Sequence, residues 1–373
     1  MKKCSILLHE PEEAALSLSS VAPRHCASCI YIFVLCIFVC CGNKNEKALR
    51  ASAQKDIQNI SSASSFEEVF SIVSRIRLDT LPECPISSIT DFNIDEAGNF
   101  IIADGWDIRQ VYCFAQDGRF IRTIGGRGQG PGEYATPISI AIHPHVGIVI
   151  CDYQQNQLLI YNNIYQYQKS IRGNPRFQYF VHLNSLGEIY TYSGTVGPNN
   201  INVFNTIHKY NDSGKETDSF GPVQPKVLKL GFSAVVDGMT ISNNGFIFEK
   251  NPLYYQIRKF DPSGALIRSF SRPDSINKVE NFAEGKISNG PFSLQNGLII
   301  IQRGNALDIF NDEGAFLRGD LPIRDKVLFV KDNTLFLEEH EDDKGAHAGQ
   351  ANPTIIRAVL RDKSWPASNK YIP

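Results

Sequence analysis

Beyond residue 66 the apolar positions fall in short runs that alternate with polar positions or stand as four to six consecutive apolar residues, each run closed by Gly, Asn, Asp or Ser. Runs of this length and punctuation predict β-strands joined by tight turns. One pattern recurs: an aromatic residue followed by a polar turn that usually contains Gly. It reads Phe114 before AQDG, Tyr161 before NNIY, Tyr210 before NDSG, Phe260 before DPSG and Phe310 before NDEG, with the aromatic residues spaced 47, 49, 50 and 50 apart. The flanks alternate, as in Phe120, Arg122 and Ile124 or Leu266, Arg268 and Phe270, so each copy predicts a two-strand hairpin. A second pattern, a turn followed by a β-rich run, precedes each copy: Gly98 before NFIIAD, Gly147 before IVICD, Gly187 before EIYTY, Gly245 before FIFEK and Gly297 before LIIIQ, with Asn333 before TLFLEE as a sixth.

Together the two patterns describe a four-strand unit, and a unit repeated at this period is the signature of a propeller blade. Residues 66 to 361 divide into six units of about 49 residues, so the expected fold is all-β, a six-bladed β-propeller of four-stranded antiparallel blades. The hairpin pattern has one copy fewer than the strand pattern. The last strand expected, Thr354 to Leu360, has no hairpin partner after it, whereas Ser74 to Leu78 alternates Ile76 and Leu78 with Arg75 and Arg77 upstream of the first unit. The N-terminal strand is therefore expected to complete the sixth blade, which removes the unpaired ends of an open ring.

Composition agrees with many strands and turns: Phe 23, Tyr 14, Gly 28 and Pro 19 against Met 2. Lys and Arg number 37 against 39 Asp and Glu, so the chain lacks the positive field that nucleic-acid binding requires, and no nucleic-acid partner is expected.

Ahead of the repeats, Ile30 to Val39 are ten consecutive apolar residues, followed by Cys40, Cys41, Gly42 and a polar run. Ten helical residues rise about 15 Å, half of a bilayer core, which suits the apolar region of a signal peptide better than a membrane span. The Cys that follows resembles a bacterial lipoprotein signal, which implies acylation of Cys41 after removal of residues 1–40. Five of the nine cysteines (Cys4, Cys26, Cys29, Cys36 and Cys40) lie in the segment expected to be removed; Cys84, Cys113 and Cys151 are expected as buried free thiols. Residues 41–65 read as a polar tether, 66–362 as the propeller and 363–373 as a C-terminal tail.

Ile124 to Asp152 read IGGRGQGPGEYATPISIAIHPHVGIVICD. This stretch resembles NHL-type repeats, and more closely the six-bladed propeller lipoproteins of Gram-negative bacteria, which carry a similar GxGQGPGEY run. The resemblance implies a lipid-anchored binding scaffold of the cell envelope, periplasmic or on the outer-membrane surface, with the membrane as one partner.

In a four-strand blade the loop before strand one and the loop between strands two and three emerge on the same face. That rule places Trp106, Arg109, Arg127, Gln129, Tyr153, Tyr254 and Arg303 on one rim, where aromatic faces beside donors suit a glycan, a peptide or a protein partner. The Gly-rich run lacks the Lys-Ser/Thr end of a phosphate-binding loop; its glycines are expected to serve tight turning between blades, with Glu133 and Tyr134 bonded to neighbouring backbone. The alternative is a propeller hydrolase or lyase, similar to the lactonases, with calcium or another divalent metal in the central channel. Asp104, Asp152, Glu249 and Glu338, which follow the second strands, and His340 in the acidic stretch are its candidate ligands; a binding module needs no cofactor. No Ser/His/Asp or Cys/His set can be assembled. Replacement of Cys41 by Ser is expected to release a soluble or unprocessed form, read by membrane fractionation and mass spectrometry; an unmodified mature terminus elsewhere would remove the anchor.

Overall fold

The computed structural model describes residues 60–79, 85–173, 180–192, 205–222, 238–251, 255–273, 289–340 and 352–361. Six four-stranded antiparallel sheets follow one another along the chain. Blade one comprises Asp91–Ile94, Phe100–Asp104, Gln110–Phe114 and Phe120–Thr123; blade two, Pro137–His143, Gly147–Asp152, Gln157–Tyr161 and Tyr167–Arg172. Blade three comprises Phe180–Leu183, Ile189–Tyr192, Asn205–Tyr210 and Glu216–Pro222, and blade four Met239–Ile241, Ile247–Lys250, Ile257–Phe260 and Leu266–Phe270. Blade five holds Asn289–Ser293, Leu298–Arg303, Ala306–Asn311 and Phe316–Pro322; blade six holds Lys326–Lys331, Thr334–Glu338 and Thr354–Leu360. The first strands line a central channel of about 440 Å³. The expected six-bladed propeller is the observed fold.

The core is divided among the interfaces between blades. Each of six hydrophobic clusters draws on two neighbouring blades. Middle strands such as Phe100–Asp104 and Gly147–Asp152 are buried along their whole length, and period-two geometry allots alternate residues to opposite neighbours. Ile101 and Ala103 face blade two, while Phe100 and Ile102 face blade six. Ile148 and Ile150 pack with blade one, while Val149 and Cys151 pack with blade three. A slip of one residue would exchange both sets at once, so the runs of apolar residues still specify a register. Cys113 and Cys151 are buried thiols, as expected; Cys84 lies outside the described residues.

The N-terminal strand closes the ring. Phe70–Arg77 pairs antiparallel with Thr354–Leu360, from Phe70 opposite Leu360 to Arg77 opposite Thr354, as the outer strand of blade six. It begins earlier than its alternation indicated, after one helical turn at Phe66–Val69 whose Phe66 ring stacks on Phe70 at 5.0 Å. The packed region also reaches back into the expected tether. Ile60 and Ala63 are buried in the cluster between blades five and six, together with Phe66, Val69 and Phe70.

The recurrent hairpin has a physical reason at each position. The aromatic residue lies at or next to the end of the third strand and is buried in every copy. In four of the five copies an Asn or Asp follows it and folds its side chain back onto the turn: Asp261 Oδ1 accepts from the amides of Ser263 and Ala265 at 2.8 and 3.0 Å. Gly118 has φ +91, and a Cβ there would lie 2.2 Å from the carbonyl oxygen of Arg77 on the closing strand. In the divergent copy of blade two, Tyr165 occupies the equivalent place with φ 64. Its hydroxyl donates to the Asp95 carboxylate and accepts from Asn99 Nδ2 at 2.9 Å, and these bonds to blade one hold a conformation that a non-Gly residue otherwise avoids.

Deletion of residues 43–59 is expected to leave the melting temperature close to that of the full chain. Deletion of 66–80 removes Phe66, Phe70, Ile76 and Leu78 from the core, each worth about 1.5–3 kcal/mol of burial, and unpairs blade six. Equal melting temperatures for the two truncations would refute closure by this strand.

Candidate functional site

Antiparallel connectivity puts the connections into first strands and those between second and third strands on one face, and the tight hairpin turns on the other. On the long-connection face, blades one and two meet around the Gly-rich loop. Tyr134 is its buried centre: its hydroxyl donates to the carbonyl of Ile124 at 2.7 Å and accepts from the Val111 amide at 3.0 Å and Gln110 Nε2 at 2.6 Å. Burial pushes this phenol well above its ordinary pKa, so it remains a donor. Tyr161 donates to the Gly132 carbonyl at 2.7 Å, and Glu133 Oε2 accepts from the Gly130 amide at 2.8 Å. A Cβ at Gly128 would stand 2.0 Å from that carboxylate. The loop is thus fastened from within, and Arg127 and Gln129 are exposed on it.

Two neighbouring turns complete the rim. Asp104, fully buried, accepts from the amides of Ser87, Ser88 and Ile108 at 2.6, 3.1 and 3.1 Å, which fixes the turn carrying Trp106. Asp152, also fully buried, accepts from the amides of Ala135, Thr136 and Gln155 at 2.9, 3.0 and 3.3 Å. Gln155 in turn donates to the Gly128 carbonyl at 2.6 Å, tying the Tyr153 turn to the Gly-rich loop. On this base Trp106, 43% exposed, meets Tyr153 edge-to-face at 6.2 Å. Arg109, at φ 61, donates from Nε to the Trp106 carbonyl at 3.4 Å.

Five of the seven rim candidates therefore come from one sector, Trp106, Arg109, Arg127, Gln129 and Tyr153. Arg303 stands apart on blade five, where it is ion-paired with Asp320 and lies 3.5 Å from Asp308; it is spent inside the protein. Tyr254 and Cys41 lie outside the described residues.

The metal candidates do not form one ligand set. Asp104 and Asp152 are saturated by loop amides. Glu249 is bridged by Arg258 at 2.6 and 2.8 Å and by Thr206 at 2.7 Å, joining blades three and four. Glu338, its pKa raised by burial, faces Lys326 at 3.7 Å, and His340 is exposed with its amide on Asp325. Among the described residues no three His, Cys, Asp or Glu side chains converge, so a divalent metal in the channel does not fit these residues. At Asp104 and Asp152 the position after the second strand is also where the loop entering the same blade exposes its amides. In blade five Gln302 holds this position and reaches instead to the chain entering blade six, with its amide oxygen on the Val327 amide at 2.9 Å and Nε2 on the Asp325 carbonyl at 2.9 Å.

A network around Asp308 had no signal in the sequence, since its members are far apart in the chain. Buried Asp308 accepts from Tyr255 at 2.7 Å and Arg272 at 3.0 Å, and Arg272 also binds Asp320 at 2.9 Å.

These sheets and their closure define a six-bladed β-propeller. Residues 53–282 match the domain of unknown function DUF4934, and the chain belongs to that family. No curated protein sequence is significantly similar to it. Among solved structures it is similar to a protein described as exported, from Bacteroides fragilis, at TM-score 0.58 and 14% identity, covering 80% of this chain and 97% of the other. A member of the DUF4221 family from Bacteroides vulgatus matches at TM-score 0.50 and 9% identity, covering 78% and 97%. Virginiamycin B lyase from Staphylococcus aureus matches at 0.48 and 14%, covering 75% and 83%. The first two likenesses show a shared fold; the third is too remote in shape to add to them.

Hydrogen bonds from Arg272, ahead of the charges of Arg272 and Arg303, hold the Asp320 carboxyl down to about 2 from its ordinary 3.8. A depressed carboxylate contributes stability in full above 3.8, and that contribution disappears as pH falls through about 2. The melting-temperature difference between the wild type and Asp320→Asn is therefore expected to be constant above pH 5 and to shrink toward zero near pH 2; a difference independent of pH would contradict the pairing.

Proposed function

We propose that the protein is an extracytoplasmic binding module, held at the cell envelope by a lipid on Cys41, that recognises a glycan or peptide on the rim formed by blades one and two. The observation that carries this reading is the exposed, edge-to-face pair of Trp106 and Tyr153, mounted on turns held by buried carboxylates and flanked by exposed Arg127 and Gln129. A flat apolar surface held rigidly beside donors binds a sugar ring or a peptide side chain at little entropic cost. The cationic side chains favour a neutral or anionic ligand. The N-terminal apolar run ending at Cys41 and the likeness to a protein described as exported support the location. Lipid on Cys41 would leave residues 42–59 between the membrane and the packed ring.

A glycan and peptide array screen identifies the ligand, and Trp106→Ala or Arg127→Ala is then expected to weaken its binding by about 1–3 kcal/mol while the fold persists. Asp117→Ala and Asp261→Ala, on the tight-turn face, should leave the affinity unchanged. Affinity lost in the second pair and kept in the first would place the ligand elsewhere.

A further inference from the structure

The tight-turn face holds a feature that the rim does not explain. Between blades six and one lies a pocket of about 160 Å³, walled by Phe336 and presenting Gln116, Thr334, Lys331, Asp332 and Arg357. Arg357 projects from the third strand of blade six, with its guanidinium 5.9 Å from the Phe336 ring centre. Its Nε is buried without a hydrogen-bond acceptor. Lys331 makes one long bond, 3.4 Å, to the Asp95 carbonyl. Among the described residues neither cation has an ion pair, although the chain carries more acidic than basic residues. A buried donor without an acceptor is costly, and a guanidinium resting on an aromatic face presents its edge to an oxyanion.

Lys331 and Asp332 line both this pocket and the central channel, so the two lie side by side. At that mouth the turns of blades four and five add Asn243 and Gln295, which offer amide donors and acceptors without net charge. Among the described residues, short hairpin turns surround this mouth.

We propose that the tight-turn face is a second binding site, for an acidic sugar: the carboxylate sits between Arg357 and Lys331, and the hydroxylated ring lies over the channel mouth against Asp332, Asn243 and Gln295. Asp332 accepts from sugar hydroxyls, the amides donate and accept, and the two cations select for the acid. This site shares no residue with the rim of blades one and two and stands independently of the function proposed there.

Calorimetric titration of the folded protein with glucuronate, glucose and acetate at constant ionic strength tests it. Glucuronate is expected to bind saturably and roughly tenfold or more tightly than either glucose or acetate, since it alone offers both the acid and the hydroxyls. Lys331→Gln, at an exposed position that does not burden the fold, and Arg357→Gln should each remove the preference for glucuronate over glucose. Lys169→Gln, an exposed cation on the outer strand of blade two, should keep it. Absence of saturable binding, equal affinity for glucuronate and either comparison compound, or wild-type preference in Lys331→Gln would each overturn the proposal.

Discussion

Every blade of this protein buries both faces of its middle strands, and among the described residues the surfaces that cover them belong chiefly to the two neighbouring blades. Ile101 and Ile102 are adjacent in the chain, fully buried, and packed against different blades. No blade can therefore be satisfied alone, and an open row would leave one apolar face bare at each end. Ring closure follows from that constraint. The strand Phe70–Arg77 brings the beginning of the ring to its end, and the buried Ile60 and Ala63 extend the seal over the cluster between blades five and six.

Apolar packing of this kind is interchangeable between blades, and polar groups between neighbours make each interface particular. Asp91 Oδ2 of blade one accepts from Ser139 Oγ and the Ile140 amide of blade two at 2.8 and 2.7 Å, and Ser139 accepts from the Val181 amide of blade three at 3.1 Å. Glu249 and Arg258 tie blade four to the carbonyl of Pro222 on blade three. Tyr255 and Arg272 tie blade four to Asp308 on blade five, and Lys326 donates to the Ile89 carbonyl at the start of blade one. Such bonds contribute modestly in net terms, but a mismatched neighbour would leave buried groups unpaired, so they specify order and register. The same logic redirects the acids after the second strands. Asp104 and Asp152 shape the rim of blades one and two from beneath, holding the turns of Trp106 and Tyr153, while taking no part in its exposed surface.

Much of the site was legible to the extent that connectivity determines it. Trp106, Arg109, Arg127, Gln129 and Tyr153 gather because the loops around blades one and two must share a face. Arg303 met the same rule, yet Asp308 and Asp320 neutralise it from the third and fourth strands of its own blade. Loop position says which side a residue is on; it does not say whether the side chain is already paired. The cationic pocket beside Arg357 was hidden for the opposite reason. Its walls come from blades six and one, at the two ends of the repeat, and residues so distant in sequence carry no common pattern.

The sequence by itself determined the all-β class, the number of blades, the place of each hairpin and the use of an N-terminal strand to close the ring. These depend on period-two alternation, on turn chemistry and on a spacing of about 49 residues, all of which are local or repetitive. Tertiary structure alone decided which carboxylates are spent on amides, which arginines are neutralised and which cations stay free, because pairing depends on side chains brought together across blades. It also decided that Tyr165 takes the place of a turn glycine, since the bonds to Asp95 and Asn99 that hold its positive φ exist only once blades one and two have docked.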